Sequence, residues 1–151
     1  MRLLYTLLLF QLTINIHAQK VDDRIQKIDE HCNQIIRQLS TCSHSVVMSD
    51  SQGNRINYAC FGTTKVITIK VQQDSILKNV IWILEENRLI FAGQEWLNVK
   101  TNRIVDIQKF YLENQSLIGW LTNNSFVASN SVAFTETAKE LQDYIPKLLK
   151  Q

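Results

Sequence analysis

Apolar residues recur at steps of three and four through residues 21–39 of the chain. This spacing places them along one side of an α-helix, and charged or amide residues fill the positions between them. The stripe consists of Val21, Ile25, Ile28, Cys32, Ile35, Ile36 and Leu39. Burial of about six such side chains contributes on the order of 10 kcal/mol before entropy is subtracted. The helix is therefore predicted to lie on an apolar surface.

The pattern changes to strand-like alternation after residue 54. Strands are predicted over residues 55–61, 65–72 and 77–84, with polar turns between them. The third strand carries apolar side chains on both faces, with Val80, Trp82 and Leu84 alternating with Ile81 and Ile83. Since a strand that is apolar on both sides is covered on both sides, this strand is predicted to be central.

Two segments 28 positions apart share one plan. Residues 84–90 and 112–118 each place a short polar turn between apolar residues, and aromatic and aliphatic residues precede each segment. Each segment predicts a hairpin, and the returning strands reach Trp96 and Trp120 respectively. Together with the earlier strands, the hairpins indicate an antiparallel meander of about six strands.

A second helix is predicted to start near Thr135, and Thr137 with Glu140 fits a capping box. Pro146 is expected to kink or end this helix near Tyr144, because proline lacks the backbone N–H that a helix interior needs. The predicted fold class is therefore α+β. It comprises an N-terminal helix, an antiparallel meander of about six strands, and a C-terminal helix packed on the sheet.

Residues 1–18 have the pattern of a secretory signal peptide. Arg2 is their only charged residue, residues 3–12 are almost wholly apolar, and Ala18 places a small side chain at the predicted cleavage point. The apolar run is shorter than the roughly 20 residues that a membrane span needs, which favours cleavage over a membrane anchor. We predict a signal peptide over 1–18 and a single α+β domain over 19–151, secreted or periplasmic, with no membrane span after cleavage.

The charge balance does not indicate a polyanionic partner. The chain has 16 basic and 14 acidic side chains, and loss of Arg2 with the signal peptide leaves one positive charge in excess. This balance gives no overall electrostatic reason to expect binding to nucleic acid or to an anionic membrane. Four glycines and one proline are too few for a disordered, low-complexity chain.

Three cysteines, Cys32, Cys42 and Cys60, leave two alternatives open. An oxidising compartment permits one disulfide, and pairing of Cys32 with Cys42 would close the shorter loop. Alternatively, all three are small buried apolar residues. His31 and His44 lie near the first two cysteines, but their spacing matches no standard zinc pattern. Neither a metal nor any other cofactor is predicted.

The aromatic hairpin over residues 110–121 and the helix around 138–141 resemble a group of small exported bacterial proteins of uncharacterised function. In that group an early helix precedes the sheet, and a hairpin of pattern YF-x-N-x-x-LI-x-W precedes a final helix. The resemblance implies the fold and export, and it implies no activity. The chain departs from the group at Gly119, where a basic residue is usual, and at Gln115 or Ser116, where the turn usually has a glycine. The turn type is therefore left open.

The polar and aromatic residues point to binding rather than to catalysis. Trp96 and Trp120 are candidates for an aromatic platform that binds a glycan or a peptide, and Glu95 is a carboxylate outside the predicted turns. These three are the candidate ligand-binding residues, and no catalytic residue is predicted. The predicted function is a non-enzymatic binding or interaction module with a protein, peptide or glycan partner. A small exported hydrolase without a recognisable motif is the alternative.

Overall fold

The computed structural model describes residues 23–39, 45–49 and 55–148. Helix α1 occupies residues 23–38. The later elements are β1 (Ser45–Ser49), β2 (Arg55–Phe61), β3 (Thr64–Gln73), β4 (Ile76–Glu85), β5 (Arg88–Asn98), β6 (Arg103–Glu113), β7 (Ser116–Thr122), β8 (Ser125–Phe126) and α2 (Val132–Leu148). The α+β class is confirmed. The predicted signal peptide lies outside the described residues.

The strands form one antiparallel sheet in chain order from β1 to β8. The predicted meander and its two hairpins are confirmed, but the count of about six strands is wrong because the sheet has eight. The two unpredicted strands are short: β1 has five residues and β8 has two. The two residues of β8 are too few to display alternation, and β1 has three consecutive apolar residues, Val46, Val47 and Met48, instead of alternation.

Three hairpins use two-residue turns in which both turn residues have positive φ. The pairs are Glu86–Asn87, Asn114–Gln115 and Asn123–Asn124, with φ between 47° and 65°. Two consecutive residues in the left-handed region are the signature of a type I′ turn, whose twist matches the twist of the flanking strands. The turn type left open at Gln115 is therefore type I′, without a glycine.

Helix α1 lies across the strands on one face of the sheet, which we call the α1 face. Ile25 lies over Gly119 of β7, Asp29 binds side chains of β6, and Ile36 borders a groove whose floor includes Thr68 of β3. A rise of about 1.5 Å per residue carries the helix roughly 16 Å from residue 25 to residue 36, which spans several strands spaced about 4.8 Å apart. The stripe therefore meets successive strands.

The core of the α1 face combines the helix stripe with one row of cross-strand partners. The helix contributes Ile25, Cys32 and Ile35, with Ile28 and Leu39 at the margin. The row runs in register across five strands through Val66, Ile83, Phe91, Tyr111 and Gly119. Phe91 and Tyr111 meet edge to face with ring centroids 5.5 Å apart. The prediction that the first helix rests on an apolar sheet is confirmed.

The opposite face, which we call the α2 face, holds a second core. It combines Leu84, Leu89, Ala92, Phe110 and Leu112 with Trp82, Trp120 and Leu141 at the margin, the last from α2. Ile83 and Leu84 are consecutive and both fully buried, one in each core. The prediction that β4 is central and covered on both sides is confirmed.

Helix α2 begins earlier and ends later than predicted. It starts at Val132, and the Ser131 Oγ accepts a hydrogen bond from the backbone N–H of Phe134 at 3.2 Å. Ser131 is therefore the N-cap, which corrects the predicted start near Thr135. The side chain of Phe134, in the first turn, is buried.

The helix does not end near residue 144, because α2 continues through Pro146 to Leu148; the alternative of a kink stays a prediction. The proline removes one backbone hydrogen bond, but only two helical residues follow it, so few later bonds depend on it. Within the parts of the chain that the structure describes, neither helix combines the length and apolar character needed to cross a membrane.

Candidate functional site

Helix α1 leaves part of the α1 face uncovered, and a groove lies beside the helix. The helix is held at the strand ends near the β4–β5 and β6–β7 turns, where His31 pairs with Glu85 and Arg24 pairs with Glu113. Residues of strands β3 to β6 away from these ends form the floor of a groove of about 380 Å³. Asp29, Cys32, Asn33 and Ile36 of α1 form its wall.

The centre of the groove floor is apolar because Gly93 has no side chain. A Cβ atom at Gly93 would lie 2.9 Å from the Cγ2 of Ile81 and 3.0 Å from the Cε1 of Phe91. These two side chains therefore pack over the glycine and form a continuous apolar floor. A glycine inside a strand often marks such a close approach.

A row of polar side chains borders this floor on three neighbouring strands: Lys70, Asn79 and Glu95. The Asn79 Nδ2 donates a hydrogen bond to the Glu95 Oε1 at 3.0 Å, which fixes the carboxylate. The Asn79 Oδ1 is buried and has no hydrogen-bond partner within the described residues. This side of the groove therefore presents hydrogen-bond acceptors, while the exposed Lys70 lies on the β3 side.

Asp29 connects the groove wall to β6. Its Oδ1 accepts hydrogen bonds from the Tyr111 hydroxyl at 2.6 Å and from the Lys109 Nζ at 3.1 Å, and Asn33 donates to its Oδ2. Burial acts to raise the pKa of Asp29, but these hydrogen bonds and the charge of Lys109 outweigh burial and lower the pKa. Asp29 is therefore an ionised anchor, and Lys109 is neutralised by it.

Cys32 is a packing residue rather than a reactive group. Its thiol is free and buried, and burial, followed by the charges of Asp29 and Glu85, raises its pKa to about 12. Since the thiolate is the nucleophile, this protonated thiol is inert at neutral pH. For Cys32 the structure thus shows the buried alternative. The predicted pairing of Cys32 with Cys42 is therefore not present in the structure. Cys42 and the side chain of Cys60 lie outside the described residues, so a disulfide between those two is untested.

The three predicted ligand-binding residues do not share one surface. Glu95 borders the groove, whereas Trp96 points to the α2 face, because consecutive strand residues face opposite sides. The Lys78 Nζ lies 4.9 Å from the centroid of the Trp96 ring. Trp120 stacks on Phe110 with ring centroids 5.6 Å apart and belongs to the core of the α2 face.

The other groove residues were missed by the sequence analysis. Gly93 carried a signal, since a lone glycine in a strand often marks a close approach. Asn79 carried none, because its role depends on its register with Glu95 on the next strand. Asp29 and Lys109 are 80 positions apart, and no local pattern connects them.

The described residues offer no cluster of three or more histidine, cysteine or acidic side chains that could hold a metal ion. The comparisons with known proteins add no assignment: no protein-family model, curated protein or solved structure matches the chain. The resemblance to small exported bacterial proteins therefore stays a prediction, and any function must be argued from the groove itself.

Proposed function

We propose that this chain is an exported binding module and that the groove beside α1 is its binding site. The observation that carries the proposal is an apolar floor next to a carboxylate held in place by Asn79. Ligand sites commonly combine an apolar lining with a few fixed polar groups, in volumes from about 300 Å³ upward. The groove, with about 380 Å³, is large enough for a compact ligand.

The polar groups of the groove favour a ligand that carries an ammonium group on an apolar body. Glu95 is a hydrogen-bond acceptor with a negative charge, and the neighbouring Asn79 Oδ1 is a further acceptor. The positive charge of Lys109 is already compensated by Asp29 at 3.1 Å. The exposed Lys70 lies on β3, and Asn79 separates it from Glu95 in the row. An apolar amine satisfies these acceptors, whether it is a free small molecule or part of a bound peptide.

The proposal can be tested with three probes that share a phenyl group and differ in charge: phenethylamine, 2-phenylethanol and 3-phenylpropanoate. Each is titrated into the mature protein, and the backbone amide signals of Gly93 and Glu95 are followed by NMR. We expect these signals to shift, with the amine binding most tightly and the carboxylate least. A dissociation constant on the order of 1 mM for the amine, equivalent to about 4 kcal/mol, suits a ligand of this size.

The variant Glu95→Gln keeps the shape of the side chain and removes its charge, so it should reduce the affinity for the amine to that for the alcohol. Glu86→Gln is the matched control, because Glu86 is exposed in the β4–β5 turn and does not line the groove. The proposal is wrong if none of the probes shifts the groove signals, or if Glu95→Gln retains the preference for the amine.

Export is supported by the signal-peptide pattern of residues 1–18. Cleavage after Ala18 would make Gln19 the first residue of the mature protein. The intact mass of the protein recovered from a bacterium that expresses the full chain measures this directly. A recovered protein that still begins at Met1 would contradict cleavage.

A further inference from the structure

The hairpin between β5 and β6 carries an unusual cluster of exposed side chains, and we call residues 98–105 the hairpin tip. Its aliphatic residues are far from buried: Val99 is 40% exposed, Ile104 54% and Val105 57%. Lys100 and Arg103 are also exposed, and the tip contains no acidic residue. Aliphatic side chains interleaved with cations are typical of surfaces that contact the interface of an anionic bilayer.

The hairpin tip extends beyond its neighbours in the sheet. On one side, the contact with the start of β4 ends where the Val99 N–H donates to the Ser75 carbonyl at 2.9 Å. On the other side, β7 pairs with β6 only from Gln108 onward, and Asn123 in the β7–β8 turn caps Ile107. Residues 100–105 therefore lie beyond the paired parts of β4 and β7, and all six are exposed.

The conformation of the tip is fixed before any contact is made. The Asn98 Oδ1 accepts hydrogen bonds from the backbone N–H groups of Lys100 at 3.0 Å and Thr101 at 3.1 Å. Val105 is an extra residue in the β5–β6 register, since Trp96 pairs with Asp106 and Leu97 with Ile104. Such a bulge disfavours addition of another strand at this edge. Contact through side chains is favoured instead.

The chain as a whole is nearly neutral, but the tip contains two basic residues and no acidic residue. Its positive charge is therefore a local property. Two acidic residues flank the tip: Asp106, which follows it on β6 and accepts a hydrogen bond from Gln108 at 3.0 Å, and Asp74 in the turn between β3 and β4. Neither Lys100 nor Arg103 forms an ion pair with an acidic side chain among the described residues, so no direct contact compensates their charges. We infer that the hairpin tip docks on the surface of a bilayer that contains anionic phospholipid.

The binding should be weak and sensitive to salt. A lysine or arginine near an anionic leaflet contributes about fivefold in affinity, and this contribution is screened within about 10 Å at 0.1 M salt. The test uses the mature protein and cosedimentation with vesicles of phosphatidylcholine alone or of equal parts phosphatidylcholine and phosphatidylglycerol. Binding is expected only to the mixed vesicles, and it should weaken as salt is raised.

Two double variants separate the apolar and the electrostatic contributions. Lys100→Gln with Arg103→Gln, and Ile104→Ser with Val105→Ser, are each expected to reduce binding by at least about fivefold. Lys139→Gln and Val132→Ser are the matched controls, because both residues are exposed on α2 and should leave binding unchanged. Thermal unfolding of each variant verifies that it is folded.

The inference is overturned if the wild-type protein does not bind the mixed vesicles. It is also overturned if the controls on α2 weaken binding as much as the tip variants do, because the attraction would then be general. Loss of binding in the tip variants alone, at unchanged fold, supports it. None of these outcomes depends on the groove, so the result is independent of the proposed function.

Discussion

At the scale of single residues, Gly119 and Ile25 set how closely α1 approaches the sheet. A Cβ atom at Gly119 would lie 2.4 Å from the Cδ1 and 3.1 Å from the Cγ1 of Ile25. A residue with a Cβ atom at position 119 would therefore overlap the side chain of Ile25. A longer side chain at this position would occupy the space of the Ile25 side chain.

We expect Gly119→Ala to lower the free energy of unfolding by about 1–3 kcal/mol, because the added methyl group overpacks the contact with Ile25. Ile25→Val removes the Cδ1 atom that the new methyl group would meet first. Gly119→Ala should therefore cost less in the Ile25→Val background. Urea unfolding of the two single variants and the double variant gives this coupling energy. Strictly additive effects would show that the two residues do not compete for space.

At the scale of elements, the β6–β7 hairpin carries a turn that its sequence does not favour. Gln115 has a φ of 65°, and a residue with a Cβ in the left-handed region costs about 1–2 kcal/mol. Gln115→Gly should raise the free energy of unfolding by about 0.5–1 kcal/mol, since Asn-Gly is the preferred type I′ pair. Gln72→Gly, at an exposed position within β3, is the matched control and should destabilise. Chemical denaturation measures both, and equal signs for the two variants would contradict the role of the turn.

An element could be predicted from the sequence where its own residues carry a periodic apolar pattern. The stripe of α1 and the alternation of β3 are visible in the sequence because each spans several turns or pleats. The start of α2 was missed because the N-cap Ser131 lies in a polar stretch with several equivalent serine and threonine residues. The two residues of β8 are a strand only because β7 lies beside them.

At the scale of the whole molecule, the groove could not be predicted, because it is a product of register and helix placement. Glu95 and Trp96 are neighbours in the sequence but lie on opposite faces of the sheet. The sequence around Trp120 is compatible with an exposed aromatic residue. The pairing of β6 with β7 places Phe110 beside Trp120, and the two rings stack. The part of the site that was predicted, Glu95, was recognised as a carboxylate outside the turns, which is a local property.

Two residues in the core of the α1 face, Cys32 and Tyr111, make the whole protein less stable at alkaline pH. Burial raises the pKa of Cys32 from its ordinary value of 9.0 to about 12, and burial together with the hydrogen bond to Asp29 raises the pKa of Tyr111 above its ordinary value of 10.0. Both groups stay neutral in the folded protein at a pH where the unfolded chain ionises them. Their stabilising contribution is therefore complete below about pH 9 and is lost as the pH rises toward their folded-state pKa values.

We expect the free energy of unfolding to fall between pH 9 and about pH 12, with Cys32 alone contributing up to about 1.4 kcal/mol per pH unit in this range. Cys32→Ala should be less stable at pH 7, because it removes a buried group, but its stability should fall less steeply above pH 9. The curves of the variant and the wild type should therefore converge with rising pH. Urea unfolding at several pH values between 7 and 11 measures both curves, and the other cysteines affect them equally. Parallel curves would show that the Cys32 thiol ionises as readily in the folded protein as in the unfolded chain, which its burial beneath α1 forbids.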